Sequence, residues 1–103
     1  MYLVHTEFLA PVGITAGALA ELREREAAAA RLLQESGVLQ SLWREVDTTR
    51  AWGLWLVADE TELRVAMQAL PCSPYMVIDS WQIVAHENSL HPNNAHPRQE
   101  TTS

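Results

Sequence analysis

The sequence predicts an α+β fold in one domain, with the order strand, helix, strand, strand, helix, strand. Three observations carry this. Two amphipathic stretches begin on capping residues, β-branched and aromatic runs lie before, between and after them, and 103 residues is the length of one domain. A chain of this size can bury a modest core without metals or disulfides.

The opening "MYLVHTEFLA" is β-branched and aromatic and is stopped by "PVG", so it reads as the first strand. Thr15 then precedes a long amphipathic helix ending at "ESG", where Gly37 can take the left-handed conformation that closes a helix. The segments "LQSLWREV" and "AWGLWLVA", separated by the polar "DTTR", suit an antiparallel hairpin. Asp59 and Glu62 are spaced as an N-cap and its capping-box partner. Leu63, Ala66, Met67 and Leu70 form the apolar stripe of the second helix, and Pro71 stops it. After the loop "PCSP", the run "YMVIDSWQIVAH" reads as the last strand. This order is that of a ferredoxin-like βαββαβ domain, expected over residues 1–88, with a four-stranded antiparallel sheet and both helices on one face.

One strand does not suit a sheet covered on one side only. "WGLWLV" is apolar at consecutive positions and so on both faces, where a half-covered sheet should alternate. Trp52 and Trp55 fall on opposite faces because their separation is odd. The second face therefore needs a cover, either a second copy of the chain in a homodimer or the chain's own tail. That tail, residues 89–103, has a single large apolar residue and is expected to be flexible.

Composition narrows the partners. A formal net charge of −6 with only 7 Lys and Arg argues against nucleic acid, which requires clustered cations. No apolar run approaches a membrane span, and the opening residues lack the basic-then-apolar layout expected of a signal peptide. The lone cysteine, Cys72, has no internal disulfide partner, in keeping with a cytoplasmic location. It also has no nearby base in sequence to activate it. His86, His91 and His96 recur at five-residue steps that suit no finger-type site, so no metal is expected.

Chemistry is suggested first by Glu26. At about 100° per residue, Leu19, Leu22, Ala29, Ala30 and Leu33 share one arc of the first helix, and Glu26 falls inside it. Desolvation disfavours the charged form of such a carboxylate, which suits a base that takes a proton from carbon and returns it elsewhere. The alternative is an edge position in which Glu26 pairs with Arg44 or Arg23. Arg44 shares a strand face with Leu42 and Val46, so it can project inward and hold a carboxylate, a lactone oxygen or an enolate, or pair with Glu26 or Asp47.

The elements "LLQESG", "LWR" (Leu42 to Arg44) and "LPCSPYM" (Leu70 to Met76), in this order, resemble the muconolactone isomerase family over roughly residues 2 to 88, with Pro11, Glu26, Gly37 and His86 also matching. The resemblance implies a chain that dimerises through its sheet, sometimes into larger rings, and isomerises an unsaturated lactone by moving a proton between two carbons. It implies no metal or organic cofactor. Thr48 stands where the family often has His, and Ala51 where it often has Asn. If those residues hold a substrate carboxylate, this chain holds its substrate differently.

The expected reaction is therefore a cofactor-free isomerisation of a small unsaturated lactone or enone, with Glu26 as base, Arg44 as electrostatic anchor and His86 as a catalytic oxygen partner. Tyr75 can donate to an oxyanion or anchor its loop, and Trp43, Trp52 and Trp55 are candidate walls for a flat ligand. His5 and Glu7 share a face of the first strand as a further acid/base pair. Two other readings fit the same scaffold: a cyclase or dehydratase on a polyketide-like intermediate, and a noncatalytic dimeric binding or accessory protein.

Overall fold

The computed structural model describes residues 1–88. The expected tail over 89–103, with His91 and His96, lies outside the described residues. Strand β1 (Tyr2–Phe8) leads to helix α1 (Ala16–Glu35), then β2 (Leu39–Arg44), β3 (Arg50–Trp55), helix α2 (Glu60–Met67), a short 3₁₀ turn (Ser73–Tyr75) and β4 (Met76–Gln82). The strands form one antiparallel sheet in the order β2-β3-β1-β4. Among the described residues, no helix is long and apolar enough to cross a membrane.

The helix signals have the physical causes expected of them. Thr15 Oγ1 accepts the Ala18 amide at 3.1 Å, and Gly37 adopts φ +85° just beyond the last turn of α1. Asp59 Oδ1 accepts the Glu62 amide at 2.8 Å, while the Glu62 carboxylate reaches back to the amide of Ala58, one residue before the cap. Helix α2 ends at Met67, four residues before Pro71. Leu70 is nonetheless buried, from the turn that follows the helix.

One face of the sheet carries the core. Tyr2 and Val4 of β1, Leu39 of β2 and Trp55 of β3 pack with Ala30 of α1 and with Leu63 and Met67 of α2. Both helices therefore cover the same face. A bulge at Gln40 sets the phase of β2, because Leu39 pairs with Trp55 while Ser41 pairs with Leu54. Leu42 and Arg44 then lie opposite Gly53 and Ala51, on the face that Leu39 also occupies. The hairpin turn is longer than "DTTR". Glu45 to Thr49 lie outside the strands, Asp47 adopts φ +59°, and Val46 is exposed rather than sharing a strand face with Arg44.

The opposite face mixes aromatic and charged side chains with Leu3, Leu54 and Val77. Trp52 packs against the His5 ring at 4.6 Å between centroids and stacks on Trp81 at 5.9 Å. Trp43 pairs with Trp52 across the ladder. Trp43 and Trp81 remain 52% and 49% exposed, so among the described residues this face has no cover. Glu45 accepts from His5 Nε2 at 2.9 Å and from Trp52 Nε1 at 3.0 Å, with Arg50 at 3.8 Å. The His5 hydrogen bond, helped by those of Trp52 and the Arg50 charge, holds the Glu45 carboxyl below its ordinary value against a smaller opposing effect of desolvation.

Candidate active site

A cavity of about 440 Å³ opens between the sheet and α1. Buried Val4, Leu39 and Trp55 from the sheet line it, together with Met67 and Leu70 from α2 and its following turn. Exposed Leu42, Arg44, Thr49 and Arg50 also line it, which places its mouth at the β2–β3 end of the sheet. The walls are mostly apolar, with a few charged groups set among them.

Glu26 lies in this wall and is half-buried. Its position on the α1 stripe between buried Leu22 and Ala30 turns it toward the sheet, as the helical spacing requires. Its Oε1 accepts the backbone N–H of Cys72 at 2.8 Å. No arginine comes within ion-pair distance of it among the described residues. The expected alternative, a pairing with Arg44 or Arg23, is not the contact formed. Arg23 is set over the Phe8 ring at 5.8 Å, and both line the cavity.

Sequence reasoning weighed the Cys72 thiol but missed its contact with Glu26. Cys72 is 46 positions from Glu26 in sequence, so no local spacing could have paired them. The "PCSP" loop brings it there because Pro71 and Pro74 bracket a tight turn in which the Tyr75 amide bonds the Cys72 carbonyl. Burial, and then the charge and hydrogen bonding of Glu26, push the thiol from 9.0 up to about 11, outweighing the pull of Arg23 and Arg25. It is held as a protonated thiol, poorly suited to act as a nucleophile.

Of the other expected site residues, Arg44 and Trp55 join Glu26 in the cavity wall, and Trp43 borders it from the edge strand β2 although it pairs with Trp52 on the opposite face, while Trp52, Tyr75 and His86 do not line it. Trp52 lies on the far face of the sheet. Tyr75 anchors its loop through the backbone, its carbonyl accepting the Leu9 amide at 2.8 Å. His86 is exposed beyond β4, where its Nδ1 accepts the Asn88 amide at 2.9 Å. His5 is paired with Glu45 rather than with Glu7, which approaches Arg50 at 3.8 Å. Thr48 and Ala51, two of the departures from the family pattern, both line the cavity. Thr48 is tied to the turn, donating to the Glu45 carbonyl and accepting the Arg50 amide, each at 3.1 Å.

A half-buried carboxylate in the wall of a mostly apolar cavity, with arginines beside it, is an arrangement chemically able to move a proton on an organic guest in a small α+β domain. Comparison with known proteins narrows the class. The family model for muconolactone delta-isomerase matches residues 1–89. A muconolactone Delta-isomerase from Cupriavidus pinatubonensis (strain JMP 134 / LMG 1197) is 30% identical over 90 residues, covering 87% of this chain and 98% of the relative. A crystal structure of muconolactone isomerase superposes with a TM-score of 0.79 at 26% identity, covering 87% of this chain and 94% of that one. The chain belongs to the muconolactone delta-isomerase family and is an isomerase.

Proposed function

We propose that the protein is a cofactor-independent isomerase that shifts a proton, and with it a carbon–carbon double bond, in an unsaturated lactone or enone. The observation that carries this reading is the Glu26 carboxylate, half-buried in the cavity wall and aimed by the Cys72 amide. One oxygen is engaged by that amide, and the other is left for the substrate. Glu26 takes a proton from a carbon made acidic by the neighbouring carbonyl, the electron pair delocalises onto oxygen as a dienolate, and Glu26 returns the proton at the far carbon of the conjugated system. Arg44 in the same wall stabilises the oxygen charge that develops between the two transfers. His86 and Tyr75, outside the cavity in the single chain, enter this scheme only through the motion of their segments or through a neighbouring subunit.

The uncovered aromatic face of the sheet supports a homodimer, or a larger homo-oligomer, built by pairing two such faces. The same reading places the enzyme in the cytoplasm, in aromatic catabolism or in natural-product biosynthesis. The second reading, a cyclase or dehydratase acting on a polyketide-like intermediate through the same enolate chemistry, is favoured by one observation. The cavity volume is about 440 Å³, against ~150 Å³ for a cavity that holds one benzene ring. An accessory protein that had lost activity would need no such space around a carboxylate.

The test is Glu26→Gln. It keeps the shape of the side chain but removes the base, so turnover is expected to fall by ~10²- to 10⁴-fold with an unchanged circular dichroism spectrum and melting temperature. Turnover within a factor of a few of the unmodified enzyme would remove Glu26 from the reaction.

A further inference from the structure

Trp55 raises a question that the proton shuttle does not answer. The residue is 2% exposed, yet its indole N–H has no acceptor among the described residues. Trp52, three positions earlier on the same strand, shows the usual outcome, because its N–H donates to Glu45. A buried donor left without an acceptor is uncommon, since the group has given up water and received nothing in return. The local geometry shows where this donor lies. Nε1 is 2.9 Å from the point that a Cβ on Gly53 would occupy, so the indole folds back along β3 across the glycine, on the cavity face of the sheet. Trp55 lines the same cavity as Glu26.

We infer that the Trp55 indole N–H is a substrate-binding donor, and that the guest is a planar fused-ring ketone or lactone seated with one oxygen accepting from Nε1. The inference rests on the cavity being the substrate site, and it adds the class of guest. A single small ring would fill about a third of the space, whereas two or three fused rings fill it and extend from Trp55 toward the arginines at the mouth. An all-carbon guest of the same shape would leave the indole donor unpaired, so the cavity discriminates for a deep oxygen acceptor.

The experiment uses two bicyclic probes of nearly the same shape, α-tetralone, which has a ketone oxygen, and tetralin, which has none. Heteronuclear NMR follows the four indole N–H resonances, with that of Trp55 assigned by elimination through Trp43→Phe, Trp52→Phe and Trp81→Phe, so that the result does not depend on the folding of a Trp55 variant. The Trp55 resonance is expected to move downfield on titration with α-tetralone and to lack that shift with tetralin. In Trp55→Phe, α-tetralone is expected to bind about two- to tenfold more weakly while tetralin binds as before. An unmoved Trp55 resonance while α-tetralone binds would overturn the inference, as would an equal loss of both probes in the variant or binding of neither probe. Repeating the titration in Glu26→Gln separates the two claims. Loss of turnover with the Trp55 shift intact supports both, whereas full turnover with that shift intact removes the base and leaves the donor.

Discussion

At the scale of single residues, the proposed site is a carboxylate and the amide that holds it. Glu26 was legible because a helix repeats every 3.6 residues, and an acid on an apolar stripe contradicts the pattern around it. Cys72 was not legible, because its contact with Glu26 is made by a backbone amide and depends on how a loop from the far half of the chain returns to α1. The pair gives a measurable consequence. Since the Glu26 charge helps to hold the Cys72 thiol up at about 11, alkylation by iodoacetamide should be slow at neutral pH and should accelerate as the pH approaches that value. Glu26→Gln removes part of what holds the thiol protonated, so the alkylation profile should move to lower pH. A profile that stays in place would show that burial alone sets the thiol, and that the side chain of Cys72 does not sense Glu26. The expected parts for Tyr75 and His86 came from family motifs, and neither motif records which way a side chain points once its segment has turned.

At the scale of elements, the strands and helices followed from capping, periodicity and turn chemistry, and their ends moved by a few residues where tertiary contacts intervened. The bulge at Gln40 left no mark in the apolar pattern, although it sets which residues of β2 face the cavity. Strict alternation from Leu39 would have put Leu42 on the opposite face. Gly53 was equally silent, since a glycine inside a strand signals a close approach without naming the partner. The partner is the Trp55 indole, and a Cβ at position 53 would stand 2.9 Å from Nε1 and 3.4 Å from Leu39 Cδ1. Gly53→Ala should therefore cost about 1–3 kcal/mol in denaturant unfolding, as the buried indole is forced from its place. A neutral effect would mean that the ring can tilt without loss, and that the floor of the cavity is softer than its burial suggests.

At the scale of the whole molecule, the sequence anticipated an uncovered face from a strand that is apolar on both sides. That face is present, and Trp43, Trp52 and Trp81 run across it. What covers it was open between a second chain and the tail, because composition states only that a cover is needed. Pairing of two such faces should give a dimer in light scattering at micromolar concentration, with an interface of the order of 1,600 Å². Trp81→Glu places an unpaired charge in the middle of that contact and should shift the protein to monomers while leaving its circular dichroism unchanged. A wild-type protein that scatters as a monomer would return the cover to the chain itself.

The bond from the Cys72 amide to Glu26 also ties the placing of the proposed base to the order in which the polypeptide is completed. A nascent chain that has emerged only as far as α2 already has the acid on its first helix, but has nothing to aim it. The aligning group arrives with the last fifth of the described residues, just ahead of the strand that closes the sheet beside β1. The contact that holds the proposed base is therefore completed last, when the Cys72 loop reaches α1.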